Sequence, residues 1–314
     1  MSLHDKCFSN TSFRPTTFVE LLRWRAEHQT NDRIYTFLTY DDTPDILMTL
    51  GELDQRARMV GAWLHSQGLA GERALLLYPP GMDYIIAFLG CLYAGVIAVP
   101  AYPPEPNRLE KTLPRILAIV TNARAKVALT TKEIIGTLKS SDQSGKVILD
   151  HTTEFGDLNW LSLEDLDLDW AEKWQPPAIT TDSLAFLQYT SGSTGTPKGV
   201  MVSHENILCN SALIYRGFGF APDTEGVIWL PIYHDMGLIG GVLQPLYAGI
   251  PCTLMSPISF LKRPMRWVQT ISSIKDRTIV SGGPNFAYDL CSLRELSPDK
   301  AAELDLSHWK TAFS

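Results

Sequence analysis

Residues 188–204, QYTSGSTGTPKGVMVSH, constrain this chain more than any other stretch. An apolar strand pattern at 184–188 runs into a loop dense in hydroxyls and glycines, Thr190-Ser191-Gly192-Ser193-Thr194-Gly195. Thr196, Pro197 and Lys198 follow, then a second apolar stretch and a helix start at Ser203. Glycines let backbone approach a ligand closely, N–H groups and hydroxyls donate to phosphate oxygens, and a lysine adds a point charge. A surface linker has a similar composition, but linkers do not usually follow a buried strand or carry one fixed lysine. The loop is not a Walker A motif, which needs Gly before the Lys and Ser or Thr after it. Here Pro197 precedes Lys198 and Gly199 follows, so a polyphosphate cradle outside the P-loop class is expected.

The rest of the chain predicts a scaffold suited to such a loop. Strand patterns at 34–40, 46–49, 73–78, 96–99, 126–130 and 147–149 alternate with helical spacing at 17–28, 50–67, 82–94, 108–122 and 132–140. The alternation resumes with strands at 184–189, 226–230, 251–255 and 277–281 and helices at 204–215, 237–248, 262–274 and 285–294. Another strand begins in the final HWKTAFS. Strands alternating with helices imply right-handed βαβ units and mainly parallel sheets. The fold class expected is therefore α/β. A turn-rich acidic stretch at 152–181 suggests a division into a first lobe, 1–180, and a second, 181–314. Ligands in such folds bind at the carboxyl ends of strands, which is where the loop at 190–198 and the segments after Leu230 and Val280 fall.

Bulk properties narrow the function classes. The 314 residues are 45% hydrophobic and 19% charged, with a formal net charge of −7. That balance opposes a general nucleic-acid binder, which needs a basic face, but not a nucleotide pocket. Five scattered cysteines without CxxC spacing suggest neither zinc nor a disulfide framework. The most apolar stretch, 84–99, is short and broken by Gly90 and Gly95, so it reads as a buried helix and strand and not as a transmembrane segment. No signal peptide is read at the start, and a cytoplasmic location is expected.

Two further segments carry chemistry. In WLPIYHDMGLIGGVLQPLYAG (229–249), His234 and Asp235 lie between a strand and a glycine-opened helix. His234 can serve a substrate carboxylate or cap the helix, and Asp235 can be a plain N-cap. In Ser281-Gly282-Gly283-Pro284-Asn285-Phe286-Ala287-Tyr288, glycines after a strand permit close backbone approach. Met236, Phe286 and Tyr288 could line an apolar tunnel or be plain core. No GxSxG, HExxH or GxGxxG pattern supports hydrolase, zinc protease or dinucleotide chemistry.

These three segments together resemble the adenylate-forming (AMP-binding) superfamily, most closely a fatty acyl-AMP ligase. The likeness rests on AFLGCLYAGVIAVPAYPP (87–104), AFLQYTSGSTGTPKGVMVSHENI (185–207), the 229–249 segment and SGGPNFAYDLC (281–291). It runs from about Phe18 to Trp309. The resemblance implies the large N-terminal domain of that fold, with two mainly parallel sheets flanked by helices, incomplete here. It implies that Thr190, Ser191, Gly192, Ser193, Thr194, Gly195 and Lys198 hold ATP, with Thr190 at Mg2+. His234 and Lys198 would carry the catalytic roles. His234, Met236, Gly237, Ser281, Gly282, Gly283 and Phe286 would meet the acyl substrate and its adenylate.

The implied activity is ATP-dependent activation of a fatty acid to an acyl-adenylate, for transfer to an acyl carrier protein or downstream synthase module. An acyl-CoA synthetase is the enzymatic rival, an amino-acid-activating domain a weaker one. A module that binds nucleotide or lipid without turnover is the rival from another class. Family features expected further along, a YGxTE-like segment, a ribose-binding Asp and a small C-terminal domain with a lysine, are not among these 314 residues. The resemblance therefore implies an N-terminal portion.

Overall fold

The computed structural model describes residues 13–39, 43–104, 108–141, 147–190, 197–293 and 302–314. In chain order the strands among them are β1 (Arg33–Leu38), β2 (Ile46–Thr49), β3 (Arg73–Leu77), β4 (Ile97–Pro100), β5 (Val127–Thr130), β6 (Lys139–Ser141) and β7 (Val147–Asp150). Then come β8 (Asn159–Ser162), β9 (Leu184–Thr190), β10 (Lys198–Ser203), β11 (Thr224–Ile228), β12 (Cys252–Met255), β13 (Thr278–Gly282) and β14 (Trp309–Phe313).

Two compact units divide these elements. One comprises Thr16–Val19 and Leu53–Asn206. Its sheet has the order β10-β9-β4-β3-β5-β8, with parallel pairing from β9 through β8 and an antiparallel β10 at the edge. On one face Leu75, Leu77, Val99 and Ala128 pack against Leu113, Ile116, Ile119 and Val120 of the helix Leu109–Ala123. Side chains two apart on a strand share a face, so the ALLL run of β3 covers both. Leu76 is as fully buried as its neighbours, as expected of a parallel strand with both faces covered.

The other unit comprises Glu20–Glu52 and Ile207–Ser314. Its sheet has the order β14-β13-β11-β12-β1-β2, parallel except for the edge strand β2. Near the amino-terminal end of β11, the buried Glu225 carboxylate accepts from Arg33 at 2.8 Å and Thr253 at 2.9 Å, with Arg277 at 3.5 Å. A buried charge is tolerable only when paired in this way.

This partition differs from a division at 180/181. β9 joins β4 of the first half, and β1 joins β12 of the second. Hydrophobic periodicity reports which residues are buried, not which strand lies alongside, so sheet membership is not a local property. The two mainly parallel, helix-flanked sheets follow the expected class. Among the local elements that differ from expectation, three bear on the site and its scaffold. The four-residue β8 lies inside the acidic stretch 152–181, too short to show a period. The helix expected at 262–274 is two, Pro257–Lys262 and Met265–Ser273, because Pro264 has no N–H to continue a helical ladder. The helix expected at 237–248 is a π-helical run, Met236–Leu243, followed by the α-helical Gln244–Ala248.

Candidate functional site

In the first unit β9 and β10 form an antiparallel pair, and Thr190 and Lys198 are Cα partners at its open end. Both are exposed. The candidates Ser191, Gly192, Ser193, Thr194 and Gly195 lie outside the described residues. Behind the pair, Gly199 lies against Tyr189, where an added Cβ would come within 2.9 Å of the phenol ring. The Tyr189 hydroxyl in turn donates to Asn122 at 2.6 Å. Thus the strand ends flanking the loop are fixed by ladder and ring packing while the lysine is presented to solvent.

In the second unit β11 and β13 are parallel neighbours, so the segments leaving their carboxyl ends are adjacent. His234 and Asp235 are both about half exposed, with His234 Nδ1 at 2.5 Å from the Asp235 carboxylate. That contact makes Nδ1 the protonated nitrogen and leaves Nε2 for a ligand. Asp235 also caps the π-helical run, accepting from Met236 N at 2.7 Å. Gly237 is there because nothing larger fits, since its Cβ would lie 2.0 Å from the Pro231 carbonyl oxygen. π-Helical turns are rare and concentrate at functional sites. This one is anchored by Tyr35, whose buried hydroxyl donates to the Val242 carbonyl at 2.7 Å. Burial pushes the Tyr35 phenol well above its ordinary range, which keeps it a donor. The following turn is held by the buried Arg25, which donates to the carbonyls of Leu246 at 3.1 Å and Tyr247 at 2.6 Å, two acceptors the helix end leaves unmatched.

The β13 segment divides between frame and surface. Ser281 is fully buried, and its hydroxyl accepts from Trp267 Nε1 at 2.8 Å and donates to the Val227 carbonyl. These bonds make it a lock between β11, β13 and the helix Met265–Ser273. Gly282 passes the end of β14, where a Cβ would meet the Phe313 carbonyl oxygen at 2.1 Å. Gly283 lies against the Trp229 indole, at 2.5 Å from an added Cβ. Phe286 is 48% exposed and sits edge-on to Trp229, which stacks on Phe260 at 4.0 Å.

Beside this segment is an apolar cavity of about 430 Å³, lined by Ile214, Phe218, Phe220, Ile239, Phe313 and Met236 among others. The size and lining are those of a small-molecule pocket. Of the residues nominated from sequence, Met236 lines it. Gln244 also lines it, 1% exposed, with neither amide atom hydrogen-bonded among the described residues. The sequence reading missed Gln244, Phe218, Phe220 and Phe313. The one local signal was a glutamine inside an otherwise apolar run, GLIGGVLQPLY.

Comparison with known proteins shows which family the chain belongs to. The chain is 44% identical over 297 residues to the medium-chain-fatty-acid–[acyl-carrier-protein] ligase JamA of Moorena producens, covering 95% of this chain and 49% of that protein. It is 38% identical to the long-chain-fatty-acid–AMP ligase FadD26 of Mycobacterium marinum, covering 91% and 48%. The chain thus spans about half the length of these curated relatives. A crystal structure of a fatty acyl-adenylate ligase from L. pneumophila, in complex with acyl adenylate and pyrophosphate, superposes with a TM-score of 0.84. Identity there is 42%, over 96% of this chain and 50% of that one. Residues 22–314 match the AMP-binding enzyme family, and the chain belongs to it.

Proposed function

We propose that this chain supplies the ATP- and acyl-binding part of a ligase that activates a medium- or long-chain fatty acid as its acyl-adenylate. The observation that carries the reading is the apolar cavity beside the His234–Gly237 segment, in a chain whose relatives are named for fatty acids and AMP. In the reaction a carboxylate oxygen attacks the α-phosphorus of ATP. A C(O)–O–P linkage forms, the bond between the α-phosphorus and the bridging oxygen breaks, and pyrophosphate leaves with its electron pair. Such a step needs positioning and neutralisation of phosphate charge more than covalent assistance.

On this reading Lys198 supplies the mobile positive charge, and Thr190 with the loop 191–195 supplies hydroxyl and amide donors. His234, oriented by Asp235, meets the carboxylate and the adenylate through Nε2. Gly282, Gly283 and Phe286 border the acyl and adenine side, and Ser281 holds that wall in place. A Mg2+ ion suits the donor set at Thr190. Among the described residues no three His, Cys, Asp or Glu side chains converge, so the ion would take most of its ligands from phosphates and water, as Mg2+ commonly does. Bound there, it would neutralise phosphate charge.

We take the acyl acceptor to be a carrier protein, and the setting the cytoplasm. Support for the acceptor is the name of the 44%-identical relative. Among the described residues no helix is long and apolar enough to cross a membrane. Fatty-acid-dependent exchange of labelled pyrophosphate into ATP, by the protein carrying this chain, tests the first step. Absence of exchange with decanoic through palmitic acid overturns it. Offering that protein CoA and a carrier protein in parallel tests the acceptor, and efficient acyl-CoA formation overturns the carrier reading.

A further inference from the structure

The unit Leu53–Asn206 holds a second cavity, of about 240 Å³, that the adenylation chemistry does not use. It opens where β3, β5 and β8 end, lined by Tyr78, Thr131, Leu163 and Glu164 from the segments that follow them. Carboxyl ends of parallel strands are the usual ligand side of such a sheet. Met59, Val60, Ile86, Leu166 and Leu168 complete its apolar walls.

The polar groups of this cavity are unusual for a structural void. Tyr78 is 2% exposed, and its hydroxyl has no hydrogen-bond partner among the described residues. Leaving a buried hydroxyl unmatched costs about 1–3 kcal/mol, so the group invites a ligand. Burial above all holds the phenol proton on, and two carboxylates within electrostatic reach, Asp83 and Glu164, add to it. Asp83 is itself raised above the ordinary carboxylate range, first by burial and then by Glu164, while Arg56 opposes both. Lys132 also acts on Glu164, whose carboxylate accepts from the Lys132 backbone N–H at 2.9 Å, but its ammonium is held by Asp165 at 2.5 Å. Asp83, Glu164 and Asp165 thus stand against Arg56 and Lys132, three carboxylates to two cations.

We propose that this cavity binds an organic primary ammonium with an aliphatic body. The ammonium has three N–H donors for three oxygen acceptors, Asp83, Glu164 and Tyr78, and supplies the missing positive charge. The aliphatic body occupies the apolar walls. A bare divalent cation fits poorly, because it needs six or more oxygens and would leave the hydrocarbon lining unused. The site is separate from the acyl cavity, which lies in the other unit.

Calorimetric titration of the 314-residue chain with hexan-1-amine hydrochloride, and with hexan-1-ol as its neutral counterpart, tests the proposal. Saturable amine binding is expected, with the alcohol at least about tenfold weaker, since each charge-assisted hydrogen bond contributes more than about 1.4 kcal/mol. Glu164→Gln and Tyr78→Phe should each weaken the amine by about tenfold or more. Glu164 is exposed, so its variant stays informative even if the Tyr78 variant is unstable. No amine binding, equal binding of the alcohol, or unchanged amine affinity in Glu164→Gln overturns the proposal.

Discussion

Thr190 and Lys198 are cross-strand partners at the open end of the β9–β10 pair. Eight positions apart in sequence, they are brought side by side by the antiparallel ladder, so a hydroxyl and an ammonium frame the ends of one glycine-rich loop. Lys198 is exposed, and among the described residues it has no ion-pair partner. Lys198→Ala should therefore leave the melting temperature unchanged, a surface substitution of this kind costing within about 0.5 kcal/mol. It should weaken ATP about tenfold, the loss of one charge-assisted phosphate contact. Calorimetric ATP titration beside a thermal melt checks both, and a fall in stability with affinity retained would assign the lysine to the fold.

Gln244 carries two unmatched amide atoms in the wall of the apolar cavity. Gln244→Leu should raise stability by about 1 kcal/mol, because the unmet desolvation cost disappears at nearly constant volume. A saturated fatty acid should bind no more weakly to the variant. Denaturant unfolding and fatty-acid titration read the two effects, and a loss of stability would show that the amide has a partner the fold depends on.

Ser281 ties Trp267 to the Val227 carbonyl inside the sheet. Ser281→Ala strands a buried donor and a buried acceptor together, for an expected loss of about 1–3 kcal/mol. Ser281→Cys, keeping a weak donor, should lose less. Urea unfolding of both variants distinguishes this lock from a ligand contact, which would leave the midpoint where it was.

Asp83 binds its proton more tightly in the folded chain than in the unfolded one. Between the ordinary carboxylate range and its raised value, the folded state holds more protons, so stability falls as pH rises through that interval. The contribution is fully present below the unfolded pKa and lost above the folded one. Asp83→Asn should flatten this slope and raise the melting temperature at neutral pH relative to the parent. Melting curves from pH 3 to 7 (about one-unit steps) test the sign, and a parent slope of the opposite sign sinks the argument.

The frame around the candidate site was legible where its signals are local. The strand before residues 191–196, which lie outside the described residues, and the glycines around β13 are set by backbone needs that neighbouring residues reveal. Gly237 and Gly282 illustrate this, each forbidding a Cβ where another chain segment's carbonyl passes within 2.1 Å. The cavity wall was not legible, because Phe218 and Phe220 come from a segment far in sequence from Phe313. Nothing in an isolated phenylalanine tells a pocket lining from core. The π-helical run was equally hidden, since its apolar residues fit an α-helical period almost as well.

The sequence alone determined most of the strands and helices, and it marked where a phosphate cradle is expected, because hydrophobic period and turn chemistry act over a few residues. The tertiary structure decided the company those segments keep. It placed β9 beside β4 and β1 beside β12, left Gln244 and Tyr78 buried without partners among the described residues, and gathered Asp83 with Glu164. These outcomes depend on long-range pairing and on what is excluded from water, neither of which is encoded in any single stretch of chain.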